Sequence, residues 1–389
     1  MATKRKTNGK PSAAGDIGAD VEPSTLPGQV VLVLQGGGAL GAYQVGVYQA
    51  LHEAGIEPDW VIGTSIGAIN ASLIAGNPPE RRLQCLDAFW ERMEAAHGGH
   101  AMNGWPDPFG MGKLFANMTT VMRGIPDFFT PNLHALRGSG AALGVEAAAY
   151  YSTLPLRATL NSLVDFAYLD QGPMRMTVGA VNVCTGHMRY FDNRQEKLGV
   201  EHVMASGALP PAFGAIRIDG EPYWDGGIYS NTPIEAVLDD KPRRDSLIFA
   251  VNVWHQTGPE PGSILQVMGR HKDIQFASRA DSHIARQKQI HRLRHVIREL
   301  ARQLPQQQQD EPHVKDLASW GCGTTMHVAH LVAPRLDNED HTKDIDFTPA
   351  GVHARRDAGH ADTLRMLERA PWKHAAADPI EGVIEHVLP

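Results

Sequence analysis

At 389 residues, with 42% hydrophobic and 20% charged side chains, the chain has ordinary globular composition, which excludes wholesale disorder and a fibrous architecture. Its net charge of -7 argues against a general nucleic-acid binder. Cys85, Cys184 and Cys322 lie far apart with no CxxC spacing, so neither a disulfide framework nor a zinc site is expected, and all three read as small core residues.

Residues 1–28 are rich in Lys, Gly, Ser, Pro and Ala, the composition of a flexible arm that buries too little apolar area to order itself. Lys4, Arg5, Lys6 and Lys10 are followed by no apolar stretch of signal-peptide type. The longest apolar run, Val30 to Leu34, is far shorter than the roughly 20 residues that cross a bilayer. The expectation is a soluble, cytoplasmic protein.

Gln29 to Gln35 is a continuous β-branched and aliphatic run ending in glycines, as in a central strand buried on both faces. A helix over Ala39 to Ala54 and a short strand at Trp60, Val61 and Ile62 complete a strand-helix-strand unit, the start of a parallel sheet. A helix of small residues over Ile66 to Ala75 stops at Gly76-Asn77-Pro78-Pro79, and an amphipathic helix covers Leu83 to Ala96. Residues 98–151 change texture to Gly, Met, Phe, Trp and Pro with weak periodicity, a long irregular insertion that reads either as a lid or as an apolar packing loop.

Strand signals resume at Met174 to Cys184 and His187 to Phe191, a hairpin turned at Thr185-Gly186. A helix over Val200 to Gly207 follows, then strands around Ile216 and Tyr223, a helix after Asn231-Thr232-Pro233, and a strand from Ser246 to Val253. Beyond it come a long helix from Ser263 to Leu304, a strand at Met326 to Val332 and a helix over Pro349 to Arg369. The reading divides the chain into an arm (1–28), a catalytic domain (29–260, with the insertion 98–151) and a mainly helical extension (261–389).

Gly63-Thr64-Ser65-Ile66-Gly67 sets a serine between two glycines where a strand meets a helix. That is the context of a nucleophile elbow: side chains at the glycines would crowd the turn, and the helix aims its first amides at an oxyanion formed there. Gly36-Gly37-Gly38-Ala39-Leu40-Gly41 also lies between strand and helix and satisfies GxGxxG. A dinucleotide fold would end its second strand on an acid to bind the ribose, whereas here Asp59 begins that strand and Gly63-Thr64-Ser65 ends it. Consecutive glycines beside a serine turn instead expose several backbone N–H groups at once, the geometry of an oxyanion hole. A third piece, Tyr223-Trp224-Asp225-Gly226-Gly227, carries an acid from a short strand into two glycines; alone, it would be only a turn.

In this order, a GGGxxG loop, a GxSxG turn and a distal DGG resemble the patatin-like phospholipase family over roughly Val30 to Val253, a span that includes Ser206-Gly207-Ala208-Leu209-Pro210-Pro211 and Asn231-Thr232-Pro233. The resemblance implies a three-layer α/β/α fold, a central mostly parallel sheet flanked by helices. It also implies a serine acyl hydrolase of lipid or phospholipid esters with no metal or cofactor. Ser65 would be the nucleophile, Asp225 the base, the Gly36, Gly37 and Gly38 amides the oxyanion hole, and Gly41, Gly63, Gly67, Gly226 and Gly227 the motif glycines. The family loop commonly carries Lys or Arg where this chain has Leu40, which leaves the head group open.

Two rival readings remain: a Ser-His-Asp esterase with His255 as third member, and a non-catalytic lipid- or granule-binding protein. The basic residues between Arg270 and Arg302, set against Asp273, Asp281 and Glu299, read either as a solvated helix face or as a contact with an anionic lipid surface.

Overall fold

The computed structural model describes residues 26–98, 120–336, 339–374 and 380–387; most of the arm and the first part of the insertion lie outside them. Strand β1 (Gln29–Leu34) leads through a short 3-10 turn into α1 (Ala42–Glu53), then β2 (Trp60–Gly63), α2 (Ile66–Ala75) and α3 (Pro79–Gly98). The described part of the insertion holds the two-residue strands β3 (Thr130–Pro131) and β4 (Tyr151–Ser152). Helices α4 (Leu154–Leu163) and α5 (Phe166–Gln171) precede strands β5 (Arg175–Asn182) and β6 (Met188–Asp192). Then come α6 (Val200–Ser206), β7 (Ile216–Ile218), β8 (Glu221–Asp225), α7 (Glu235–Leu238) and β9 (Ser246–Asn252). The rest comprises α8 (Ile264–Gln303), α9 (Gln306–Gln309), α10 (Pro312–Ser319), β10 (Met326–Val332), α11 (Pro349–Arg369) and β11 (Val383–Val387).

The sheet runs β11-β10-β9-β1-β2-β5-β8-β7, with β6 also on β5. The ladders from β11 through to β5 are parallel, and those involving β6, β7 and β8 are antiparallel. Central β1 shows why its sequence is an unbroken apolar run. Val30, Leu32 and Leu34 pack into the core shared with α1, α2 and α3, while Val31 and Val33 pack on the opposite face with Ile234, Val237 and Leu238 of the α7 region and Ile284 of α8. Helices therefore cover both faces, and each fully buried aliphatic side chain contributes about 1.5–3 kcal/mol. Asp59, which a dinucleotide site would need elsewhere, accepts the Val30 N–H at 2.8 Å and so fastens the start of β1.

Residues 261–389 supply β10 and β11 to the same sheet, and α11 lies against α1. Glycines permit that crossing: a Cβ on Gly46 would overlap the Arg356 carbonyl, and one on Gly359 the Tyr43 carbonyl. Tyr43 Oη then donates to Asp362 at 2.8 Å. Several cations of α8 are fastened to the body rather than left in solvent, as with Lys272 on Asp344 and Lys288 on Glu385. Of the three cysteines expected in the core, only Cys85 is buried; Cys184 is exposed at the β5–β6 turn and Cys322 is half-buried. No described helix is long and apolar enough to cross a membrane.

Candidate active site

The sheet register brings the serine and the acid together. Strand β2 pairs with β5 over Arg175 to Val178, and β6 flanks β5 over Thr177 to Val181, so β2 and β6 occupy opposite edges. Strand β8 pairs with Ala180 to Asn182 and must therefore share the β2 edge. The two strands run toward each other along it, β2 ending at Gly63 opposite Val178 and β8 ending at Asp225 opposite Ala180. Ser65 and Asp225 thus leave two strand ends that nearly meet.

Ser65 stands at φ 57°, ψ −125°, a left-handed conformation for a residue with a side chain, between β2 and α2. Such strain persists only where the surroundings enforce it. Here the flanking glycines allow the close packing that does so: a Cβ on Gly63 would overlap the Gly67 carbonyl, and one on Gly67 the Leu34 carbonyl. The Ser65 amide is held by the carbonyl and hydroxyl oxygens of Ser206, each at 3.1 Å.

Asp225 is buried and accepts the Gly227 N–H at 2.7 Å, and the Ser65 side chain lies near enough to favour its charged form. Burial raises its pKa to about 7, and the Gly227 N–H and the nearby Ser65 side chain only partly offset the shift. Gly226 passes so close to β5 that a Cβ would sit against the Gly179 carbonyl. Among the described residues no histidine is a hydrogen-bond partner of Asp225. His255 is turned to a different environment, its carbonyl taking Arg270 and its ring held neutral, near pKa 4, by burial and by Lys343 and Arg335.

The glycine loop lies beside the serine, and a Cβ on Gly36 would fall 2.9 Å from that of Ser65. Gly36 differs from the expectation for an oxyanion donor, because its N–H already donates to the Asn231 carbonyl at 3.1 Å. Among the described residues the N–H groups of Gly37 and Gly38 have no such partner, nor does that of Ile66 at the start of α2. Ile66 begins α2, so its N–H is the first of the helix amides that the sequence reading expected to face an oxyanion, although the residue was not named as a donor there.

These groups line a cavity of about 250 Å³ together with Ile69, Val121, Phe128, Phe129, Tyr151, Phe213, Trp254, Phe276 and Phe347. Aromatic contacts run through the wall, with ring centroids 5.4 Å apart for Phe129 and Phe213 and 4.9 Å for Phe129 and Tyr151. Among the described residues that line it, none is a histidine. The sequence reading missed the share of the C-terminal segment: Phe276, Asp344, Ile345 and Phe347 all face the cavity. Lys272 holds Asp344 through both carboxylate oxygens, at 2.7 and 2.9 Å, and Lys343 pairs with buried Asp273 at 2.8 Å. An apolar chamber ending on a serine, a basic carboxylate and unpaired amides suits acyl transfer from an apolar ester. Among the described residues no cluster of His, Cys, Asp or Glu could hold a metal ion.

The lysophospholipase nte1 of Aspergillus terreus is 63% identical over 46 residues, 12% of this chain and 3% of that protein. The triacylglycerol lipase ptl3 of Schizosaccharomyces pombe is 46% identical over 62 residues, 16% of this chain and 13% of that protein. The chain thus spans a small part of the curated relatives it matches. Among solved structures, VipD from Legionella pneumophila aligns with a TM-score of 0.36 at 16% identity, covering 88% of this chain and 67% of that one. A family model described as patatin phospholipase matches residues 274–378, and one described as patatin-like phospholipase matches residues 32–238, more than half the sequence. On a match of that extent, the chain belongs to the patatin-like phospholipase family.

Proposed function

We propose that the protein is a serine acyl hydrolase that cleaves lipid esters through a Ser65–Asp225 dyad and an acyl-enzyme. The observation that carries this reading is that Ser65 faces the same cavity as Asp225, a carboxylate whose burial lifts its pKa to about 7. An ordinary carboxylate is a poor base for a hydroxyl, and one poised near neutrality is far better matched. Asp225 takes the Ser65 proton as the oxygen attacks the ester carbonyl. The tetrahedral oxyanion is met by the amides of Gly37, Gly38 and Ile66, and collapse expels the alcohol, which leaves with the proton that Asp225 took and so restores the carboxylate. Water activated by the same carboxylate then releases the acid.

The aromatic wall around Phe128, Phe129 and Phe213 is suited to an acyl chain. Val121, which lines the cavity, is 51% exposed and its neighbour Met122 is 72% exposed. An apolar rim of this kind fits entry from a lipid surface. The names of the relatives, a lysophospholipase and a triacylglycerol lipase, agree with a lipid ester and leave its head group open.

Hydrolysis of short- and long-chain p-nitrophenyl esters by wild type, Ser65→Ala, Asp225→Asn and His255→Ala tests the dyad. Turnover is expected to vanish in the first two variants and to persist in the third. Loss in the third would return a histidine to the mechanism, and an inert wild type would favour the binding-protein reading.

A further inference from the structure

The Gly36 carbonyl is the most heavily fastened group in the glycine loop. It accepts the Trp254 indole N–H at 2.7 Å and the Asn231 side-chain N–H at 3.0 Å, both from buried residues. In a planar trans peptide the C=O and the next residue's N–H point in opposite directions. Two donors gripping the Gly36 oxygen therefore also fix where the Gly37 N–H points. That N–H belongs to a buried residue, lines the cavity and has no partner among the described residues. A buried amide left unpaired is rare and costs free energy, so its retention marks a place where a ligand oxygen completes the bond.

The clamp is itself braced. Gln35 accepts the N–H groups of Val253 and Trp254 at 2.6 and 3.0 Å and donates to Thr232 at 2.7 Å. Trp254 packs on Phe276 of α8 with ring centroids 5.1 Å apart, and the Phe276 carbonyl takes the Asn231 amide at 3.2 Å. Glycine is needed at 37 for the same reason, since a Cβ would lie 2.6 Å from Val253 and 3.2 Å from the indole nitrogen.

We propose that Asn231 and Trp254 are positioning residues that hold the Gly36–Gly37 peptide so that the Gly37 N–H serves as the principal oxyanion donor, with Phe276 of the C-terminal segment as their buttress. The inference rests on acyl transfer at Ser65. Both side chains border the cavity but act here through the Gly36 carbonyl, so their loss should weaken the transition state far more than ground-state binding.

The test compares wild type with Trp254→Phe, Asn231→Ala and the double variant. Trp254→Phe keeps an aromatic ring against Phe276 while removing the indole N–H and part of the ring volume, and thermal unfolding reads the cost of that lost volume. Each protein is measured for kcat and KM on a p-nitrophenyl ester, for the inhibition constant of a trifluoromethyl ketone that forms a tetrahedral adduct on serine, and for thermal unfolding. Each single change is expected to lower kcat about tenfold with KM within a factor of two. The double variant should approach the roughly 10²–10³-fold loss of a whole oxyanion donor. Ketone affinity should fall in parallel with kcat/KM, in proteins that still unfold cooperatively. Folded variants that keep kcat and ketone affinity, or that lose KM instead, overturn the assignment. A wild type with neither turnover nor ketone inhibition overturns the hydrolase reading, and this inference with it.

Discussion

Ser206 receives the backbone N–H of Ser65 on two oxygens, its carbonyl and its hydroxyl, each 3.1 Å from the Ser65 nitrogen. The same hydroxyl donates to the Gly179 carbonyl at 2.6 Å, tying the serine turn to the middle of β5. The nucleophile's own amide is thereby spent on structure, which leaves oxyanion binding to its neighbours. Ser206→Ala removes one of the two acceptors and the Gly179 bond. It should cost about 1–2 kcal/mol of stability by denaturant titration and lower kcat several-fold; unchanged values for both would show that Ser206 does not fix the turn.

The protonation of Asp225 sets a pH profile. With a pKa near 7 raised by burial, the base form dominates only above neutrality. The kcat/KM profile should rise with pH to a plateau, with an inflection near 7 and a tenfold fall per unit on the acid side. A profile flat from pH 5 to 9 would contradict this.

The same shift reports on stability, with a definite sign. Between an unfolded pKa near 3.8 and a folded value near 7, the native state keeps a proton that the unfolded chain has lost, so this group's contribution falls as pH rises and levels off above 7. Asp225→Asn cannot ionise and escapes that loss. Its stability relative to wild type should grow from pH 4 to 7 by about 4 kcal/mol at most, measured by denaturant unfolding at a series of pH values.

Gly38 has φ +57°, and a Cβ there would overlap the Asp344 carbonyl. Gly38→Ala must push the loop and the 343–347 segment apart. We expect a loss in kcat of about 10²-fold or more, as for a displaced oxyanion donor, with the folded state retained by circular dichroism.

Lys272 ties α8 to the cavity wall through Asp344 and through the His341 carbonyl at 2.9 Å. Lys272→Met frees that wall without touching Ser65 or Asp225. KM for a long-chain ester should rise several-fold while kcat changes little, and the effect should shrink for a short acyl chain that does not reach Phe347. Equal effects on both chain lengths would separate the wall from acyl recognition.

The order and type of the main elements were readable because each carries its own local signal. Val30 to Leu34 is apolar without interruption because both of its faces are covered, and Ile66 to Ala75 stops where Pro78 and Pro79 cannot continue a helix. Strand β11 and helices α4, α5 and α10 went unread, being short segments whose form depends on what they pack against or, for β11, on pairing with β10. At the site, the glycines, Ser65 and Asp225 stood out because a sharp turn leaves a mark in residue type. The occupied Gly36 N–H, the Trp254 clamp and the Asp344 wall rest on contacts between residues some 200 to 300 positions apart. No spacing rule reaches that far.

The central claim is that Ser65 is the nucleophile, and the most direct measurement is peptide-level mass spectrometry of the protein after treatment with a fluorophosphonate. The account predicts a single stoichiometric adduct on Ser65, absent from Ser65→Ala and strongly slowed in Asp225→Asn. An adduct on another residue, or labelling that survives Ser65→Ala, would contradict it.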